Sequence, residues 1–363
     1  MSASNVVRSV VRVVIGIPLW LLVEAYYRLR KKRQDPLPTV SVAAQTPNSP
    51  TIDVVYTWVN DQDETWARQK ATCAGDARLP SAHMSRFHDR EELRYSLRSL
   101  AAHAPFVNQI HIVTNGQVPA WLNTDHPRVN LVTHEQIFAD PSNLPTFNSH
   151  AIEAQLHHIP GLAEHYLYFN DDVFLGQPVL PADFFNRDGQ IIFYCDYGFI
   201  EDVEIDVERH SAVEWAARNN LRVLKEELGR RYVYKLKHQP HALRKSILYE
   251  IEDRFPSVMK QTAAHRFRHP SDHSVVTSFA QFYAESTDQA EMHMVLHPGF
   301  PSFYINLASP FLRAALARLR LSRAYKSFCI NEPVSADLDT SRFDRTVSRF
   351  LDRYFPYACE YER

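Results

Sequence analysis

Tyr166-Leu167-Tyr168-Phe169-Asn170-Asp171-Asp172-Val173 is the stretch on which the reading of this chain turns. Its aromatic and apolar run reads as a buried strand, and the polar triplet Asn170-Asp171-Asp172 falls where that strand runs out. Two adjacent carboxylates are costly to bury unpaired, so they call for a cation, a basic side chain or water. In open α/β sheets ligands bind beyond the carboxyl ends of strands, which is where this pair would lie. A solvated turn is the plainer reading, because Asn and Asp are ordinary loop formers.

Outward from that stretch the pattern alternates. Ile52 to Val59 is β-branched and aromatic enough for a buried strand, and Gln109 to Thr114, closed by Asn115-Gly116, reads as a second. Val129 to Thr133 is a third strand, and Gln190 to Tyr197 a further one. Between them, Arg90 to Ala102 carries Leu93, Leu97 and Leu100 at helical spacing with Asp89 as N-cap, and Ser149 caps a helix through His158 that Pro160-Gly161 stops. Repeated strand and helix units predict an α/β fold with a mainly parallel sheet flanked by helices. Downstream, Ala212 to Arg230, Ala242 to Glu252 and Val275 to Ala284 read as helices, giving a helical insertion or cap over about 205–260. Pro310 to Tyr325 is a basic amphipathic helix, most simply a solvated face. The catalytic domain is expected over 51–335, followed by a helical extension over 336–363.

Residues 1–34 differ from the rest. An apolar run from Val13 to Val23, interrupted by Gly16 and Pro18, is followed by Arg28, Arg30, Lys31, Lys32 and Arg33. The run is shorter than the ~20 residues a spanning helix needs. It reads first as an amphipathic anchor lying on an anionic membrane surface, with a single spanning helix or a partner-docking helix as alternatives. Residues 35–50, rich in proline, form a linker.

A net charge of −2 with 23% charged residues argues against a nucleic-acid partner. With 9 Gly in the chain, there is neither a Gly-x-Gly-x-x-Gly turn nor a phosphate loop. The four cysteines are scattered without a Cys-x-x-Cys pair, which fits a reducing compartment.

Four clusters carry chemistry. Trp58, Asn60 and Asp61 end the first strand, placed to stack on and hydrogen-bond a nucleobase or sugar, unless Trp58 is simply core. Arg94 and Arg98 lie four apart on one helical face, where two guanidinium forks suit a phosphate or the neighbouring Asp89, Glu91 and Glu92. Asp171 and Asp172 offer hard oxygens for Mg²⁺ or Mn²⁺, or a base for an acceptor's proton. In His265-Arg266-Phe267-Arg268-His269, a proton-transfer group sits among positive charges; zinc on His265, His269 and His273 is the rival, weakened by Pro270.

The segments Ile52 to Asn60 (IDVVYTWVN), Glu92 to Leu100 (ELRYSLRSL), Ile112 to Leu122 (IVTNGQVPAWL), Leu144 to Phe147 (LPTF), Tyr168 to Val173 (YFNDDV), His265 to Arg268 (HRFR) and Cys329 to Glu332 (CINE) occur in order. Together they resemble the signature regions of the Stealth family of sugar-1-phosphate transferases, to which capsular polysaccharide phosphotransferases belong. The resemblance covers roughly residues 51–335 and departs at Glu332, where the family motif commonly ends in Asp.

The resemblance implies a Rossmann-like or GT-A-like nucleotide-sugar-binding sheet. It implies transfer of a hexose 1-phosphate, N-acetylhexosamine 1-phosphate being the expected case, from a UDP-sugar donor to a glycan acceptor hydroxyl, with release of UMP. By the same route Asp171 and Asp172 would share metal binding and proton abstraction, and His265 would be the other acid or base. Arg94 and Arg268 would hold phosphate oxygens, and Asn331 and Glu332 would complete a Mg²⁺ (or Mn²⁺) site. Trp58, Asn60, Asp61, Arg98 and Asn115 would meet the donor. The expected setting is the cytoplasmic face of a bacterial plasma membrane, in capsule or cell-surface polysaccharide synthesis; self-association is left open. Two rivals remain, a metal-dependent glycosyltransferase that leaves the phosphate behind and a glycan-binding protein without turnover.

Overall fold

The computed structural model describes residues 50–74, 89–294, 300–331 and 341–363. The anchor over 1–34, nearly all of the 35–50 linker and Glu332 therefore lie outside the described residues.

The first half follows the expected alternation. β1 (Ile52–Thr57) is followed by α1 (Glu64–Ala74), α2 (Glu92–His103), β2 (Ile110–Thr114) and β3 (Val129–Thr133). Then come α3 (His134–Ile137), α4 (Ser149–Glu153), β4 (His165–Asn170), β5 (Val173–Leu175) and β6 (Ile191–Phe199). The second half runs α5 (Ala212–Leu228), β7 (Tyr234–Leu236), β8 (His241–Arg244), α6 (Lys245–Arg254), α7 (Pro256–Ala264) and α8 (Ala280–Ser286). It ends with β9 (Ala290–Met294), β10 (Ser302–Asn306), α9 (Leu312–Ser322), β11 (Ser327–Asn331) and α10 (Ser341–Tyr354).

The central sheet has the order β3-β2-β1-β4-β8 and is parallel except for β8, so the expected α/β architecture is present. Burial on both faces explains why β1 and β4 read as continuous apolar runs instead of alternating. Register puts Thr57 beside Asn170, so the ends of β1 and β4 open at the same level. A second sheet, β10-β11-β5, receives the chain immediately after Asp171-Asp172, and β6 forms a third with β7 and β9. The phenyl rings of Phe174, Phe328 and Phe355 stack between the second sheet and α10, making a separate core there.

Three local readings change. The helix expected over Ala242 to Glu252 begins at Lys245, because the preceding four residues pair antiparallel with β4; a run that short has no period that separates strand from helix. The stretch expected as an insertion over 205–260 thus gives the central sheet its last strand. Asp89 does not cap α2: it accepts from the Glu91 amide, and Glu91 itself enters the helix with φ 64°. Asn148, not Ser149, caps the helix expected to run to His158, which stops at Glu153; the Ser149 hydroxyl accepts from Arg268 instead.

One buried charge holds the central strands in register. Asp53, fully buried in β1, accepts from Asn108 Nδ2 at 2.9 Å, the Gln109 amide at 3.1 Å, His111 Nε2 at 3.2 Å and the Ala163 amide at 2.8 Å. Burial pushes its carboxyl up, but the hydrogen bonds from His111, Asn108 and Ala163 hold it below the usual carboxylate range. A depressed carboxyl contributes stability above the unfolded-state value that disappears as pH falls through the folded value. Asp53→Ala should therefore cost about 3 kcal/mol in urea unfolding at pH 7, and less as pH is lowered. An unchanged midpoint would contradict this role.

Candidate active site

Because β1, β2 and β4 run parallel, their carboxyl ends share one edge, and a cavity of about 170 Å³ lies there. Trp58 follows β1, Asn115 follows β2, and Asn170-Asp171 ends β4; all line it. Arg268 lines it as well. That arginine is delivered by a zipper between two distant segments. Phe147 N–H donates to the Arg266 carbonyl at 2.7 Å, Asn148 Nδ2 donates to the His265 carbonyl at 3.1 Å, and the Phe147 and Phe267 rings stack at 5.3 Å.

Asp172 points to other partners. β11 lies antiparallel to β5, which brings Cys329 opposite Val173 and lets the Ile330 amide donate to the Asp172 carbonyl at 3.1 Å. The Asp172 carboxylate accepts from Asn331 Nδ2 at 3.1 Å, Cys329 Sγ at 3.3 Å and His238 Nε2 at 3.3 Å. Asn331 is fixed in turn by the Tyr304 hydroxyl, which donates to its Oδ1 at 2.9 Å.

The two neighbouring acids therefore titrate apart. Burial and the charges of Asp172, Glu92 and Asp89 push the Asp171 carboxyl well up. Burial acts on Asp172 too, but the His238 charge and the hydrogen bonds from His238, Asn331 and Cys329 hold it below its ordinary range. His238 is raised in return, as Asp172 and Glu153 overcome the effect of burial. Glu153, buried beside Arg268, is pushed up to about 7 by desolvation against the pull of that arginine and a hydrogen bond from Tyr168.

The donor set suits a hard divalent cation. Asn115 Oδ1 and Asn170 Oδ1 are buried without a hydrogen-bond partner among the described residues, and both residues line the cavity beside Asp171. Carbonyl and carboxylate oxygens are what Mg²⁺ or Mn²⁺ accept. On the other side, ligand atoms of Asp172, His238 and Cys329 lie within 4.8 Å of one another, a softer set.

Not every expected residue joins the cavity. Trp58, Asn115, Asp171 and Arg268 do, and Asp172 and Asn331 form the adjoining group. Asn60 is held through its backbone by the Gln117 amide at 2.9 Å on both sides, and Asp61 lies in the fields of Lys70 and Asp89. His265 Nδ1 faces Asp272 Oδ1 at 2.7 Å and its ring stacks on His269, while His273 turns to Asn220, so the three histidines do not converge on a metal. His238 and Glu153 were missed: neither sits in a pattern that marks chemistry, and only the fold brings them to Asp172 and Arg268; the CINE motif includes Cys329 but marks no role for it.

Arg94 and Arg98 are engaged elsewhere. Both grip Glu362 near the end of the chain, at 2.5 Å from Arg94 Nε and 2.7 Å from Arg98 Nε, and Arg98 also donates to the Phe355 carbonyl. The Glu362 side chain is only 2% exposed, so its charge depends on these two forks. Burial pushes its carboxyl up, yet Arg98, Arg94 and the Cys359 amide bring it down to about 2. Glu362→Gln should lower stability by about 3 kcal/mol at pH 7. The loss should shrink as pH falls from the unfolded carboxyl value towards 2, since the native advantage is itself lost there. Thermal melts across that range check the sign; a variant as stable as the parent would refute the clamp.

Three family models match in chain order: Stealth protein conserved region 1 over residues 50–76, region 2 over 86–193 and region 3 over 237–285. Two exopolysaccharide phosphotransferases of Streptomyces coelicolor are 44% and 43% identical over 86% of this chain, covering 52% and 57% of their own length. The exopolysaccharide phosphotransferase CpsY of Mycobacterium tuberculosis is 36% identical over 86% of this chain and 58% of its own. The chain thus spans little more than half the length of these relatives. Among solved structures, the galactosyltransferase LgtC aligns with a TM-score of 0.39 at 10% identity, over 85% of this chain and 98% of that one. Each matched region sends a side chain to the same cavity, Trp58 from the first, Asn115 and Asp171 from the second and Arg268 from the third. With its three conserved regions in order over half its length, the chain belongs to the Stealth family.

Proposed function

We propose that this chain transfers a sugar 1-phosphate from a UDP-sugar to a hydroxyl of a growing exopolysaccharide, releasing UMP. The observation that carries this reading is the cavity at the carboxyl ends of β1, β2 and β4, lined by both Asp171 and the half-buried Arg268. An acid and a fixed positive charge in one cavity suit a pyrophosphate more than a neutral sugar ring. The names of the relatives support the same reading, and N-acetylhexosamine is our choice of sugar.

In this reaction the acceptor oxygen bonds to the sugar-bearing phosphorus, and the bond from that phosphorus to the bridging oxygen breaks. The leaving UMP keeps the bridging oxygen, and the hydroxyl proton passes to a protein base. We assign that base to Asp171, which faces the cavity. Arg268, locked by Ser149 Oγ at 2.7 Å, takes the charge that develops on the transferred group. Glu153 lies near enough for its charge to act on that arginine, and Tyr168 donates to Glu153. Trp58 and Asn115 receive the uridine. Mg²⁺ or Mn²⁺ would be held between Asp171, with the partnerless Asn170 Oδ1 beside it, and Asp172, and would neutralise the pyrophosphate. His265, oriented by Asp272, is our choice of second proton-transfer group. Arg94 and Arg98 act by position, through Glu362.

No helix among the described residues is long and apolar enough to cross a membrane. We place the enzyme at the cytoplasmic face of a bacterial plasma membrane on the basic cluster Arg28 to Arg33 alone.

Purified protein given UDP-GlcNAc, Mg²⁺ and an oligosaccharide should release UMP and yield a product that retains phosphorus. Release of UDP would make it a glycosyltransferase instead. Asp171→Asn and Arg268→Lys should each reduce turnover by at least about 10²-fold with melting temperatures within ~2 °C of the parent. Full activity in both would remove the cavity from the chemistry.

A further inference from the structure

His157 and His158 lie in a single helical turn before β4, at the other end of that strand from Asp171. Both Nε2 atoms point at one oxygen of α6: each is 3.1 Å from Glu252 Oε2. The His157 side chain is 0% exposed, His158 20% and Glu252 31%, so the meeting point is half-enclosed with one open side.

His158 makes the arrangement informative. Its Nδ1 lies 3.0 Å from the carbonyl oxygen of Ile137. A carbonyl oxygen only accepts, so Nδ1 carries a proton, and a ring protonated at that nitrogen alone turns the Nε2 lone pair towards a carboxylate oxygen. Two electron-rich atoms at that spacing repel unless positive charge lies between them. A ring backed by a carbonyl at one nitrogen and offering a lone pair at the other is how metal-bound histidines are commonly oriented. The spacing agrees too, since two ligands at ~2.0–2.1 Å on a tetrahedral ion stand about 3.3 Å apart.

The surroundings are built to hold these rings. Tyr249, one turn before Glu252, packs edge-on against His157 at 4.8 Å and donates to its backbone carbonyl at 3.3 Å. His157 Nδ1 is buried without a partner among the described residues, so the contact with Glu252 is made through Nε2 alone.

We propose that His157, His158 and Glu252 form a second cation site, separate from the cavity, for a divalent transition metal with water on its open side. Two imidazoles and one carboxylate favour Zn²⁺ over Mg²⁺. The ion ties α6 to the turn that launches β4, and its role is to stiffen the strand that carries Asp171 and Asp172.

The test uses the full chain stripped by chelator, then given Zn²⁺ alone. Because Asp172, His238 and Cys329 could also take zinc, the background is Asp172→Asn. In that background one equivalent should bind and raise the melting temperature by about 5 °C at saturation. X-ray absorption should show two imidazole nitrogens and oxygen ligands. Adding Glu252→Gln or His158→Asn should weaken binding at least about 100-fold, with circular dichroism confirming the fold. If either double variant fails to fold, the absorption spectrum of Asp172→Asn with zinc decides alone. Equal zinc affinity with and without Glu252, a spectrum lacking imidazoles, or no zinc-dependent rise in melting temperature would overturn the site and leave a proton on His158 as the bridging charge.

Discussion

Asp172 joins two sheets. Its carbonyl accepts from Ile330, and its carboxylate gathers Asn331, Cys329 and His238, so a residue that leaves the central sheet is pinned by a strand of the next. Satisfying one acid this fully lets its neighbour stay unsatisfied. Asp171 then carries the electrostatic cost of the pair and presents a raised carboxyl to the cavity, beside two amide oxygens without partners. A site so arranged is short of positive charge, and Arg268 alone, already engaged with Ser149, does not supply it.

The remaining structure keeps that geometry stiff. Asp53 ties the amino-terminal ends of β1 and β2 to the turn before β4, while the strands' carboxyl ends stay open for a ligand. On the other flank, Glu362 is drawn under α2 by Arg94 and Arg98, and the Tyr361 hydroxyl accepts from Arg128. Glu362 is thus a fastening for α2, whose Ser96 hydroxyl donates to the Val173 carbonyl at 2.6 Å, just past the acidic pair. Charge in this protein is spent mostly on position, and only part of it on the cavity.

How much of this was legible in the sequence depends on the range of each signal. β1 through β4 could be read because strands buried on both faces leave continuous apolar runs, and the polar triplet marks where the run ends. The ordered motifs named the family, and four residues in or beside them, Trp58, Asn115, Asp171 and Arg268, line one cavity. Local pattern failed at His241 to Arg244, where four residues carry no usable period, and at Ser149, whose capping hydroxyl was taken by an arginine 119 positions away. Arg94 and Arg98 were correctly placed on one helical face, but nothing nearby in sequence could reveal that their partner would be Glu362. His238 and Glu153 were invisible for the same reason, since each gains meaning only from a charge brought up by the fold.

The central claim is that Asp171 and Asp172 share a divalent cation facing Arg268 across a bound diphosphate. Anomalous diffraction from crystals soaked with Mn²⁺ and UDP measures it most directly. A manganese peak bonded to a carboxylate oxygen of Asp171 or Asp172, with the diphosphate between it and Arg268, is the predicted result. A nucleotide bound elsewhere, or manganese that leaves both carboxylates uncoordinated, would contradict it.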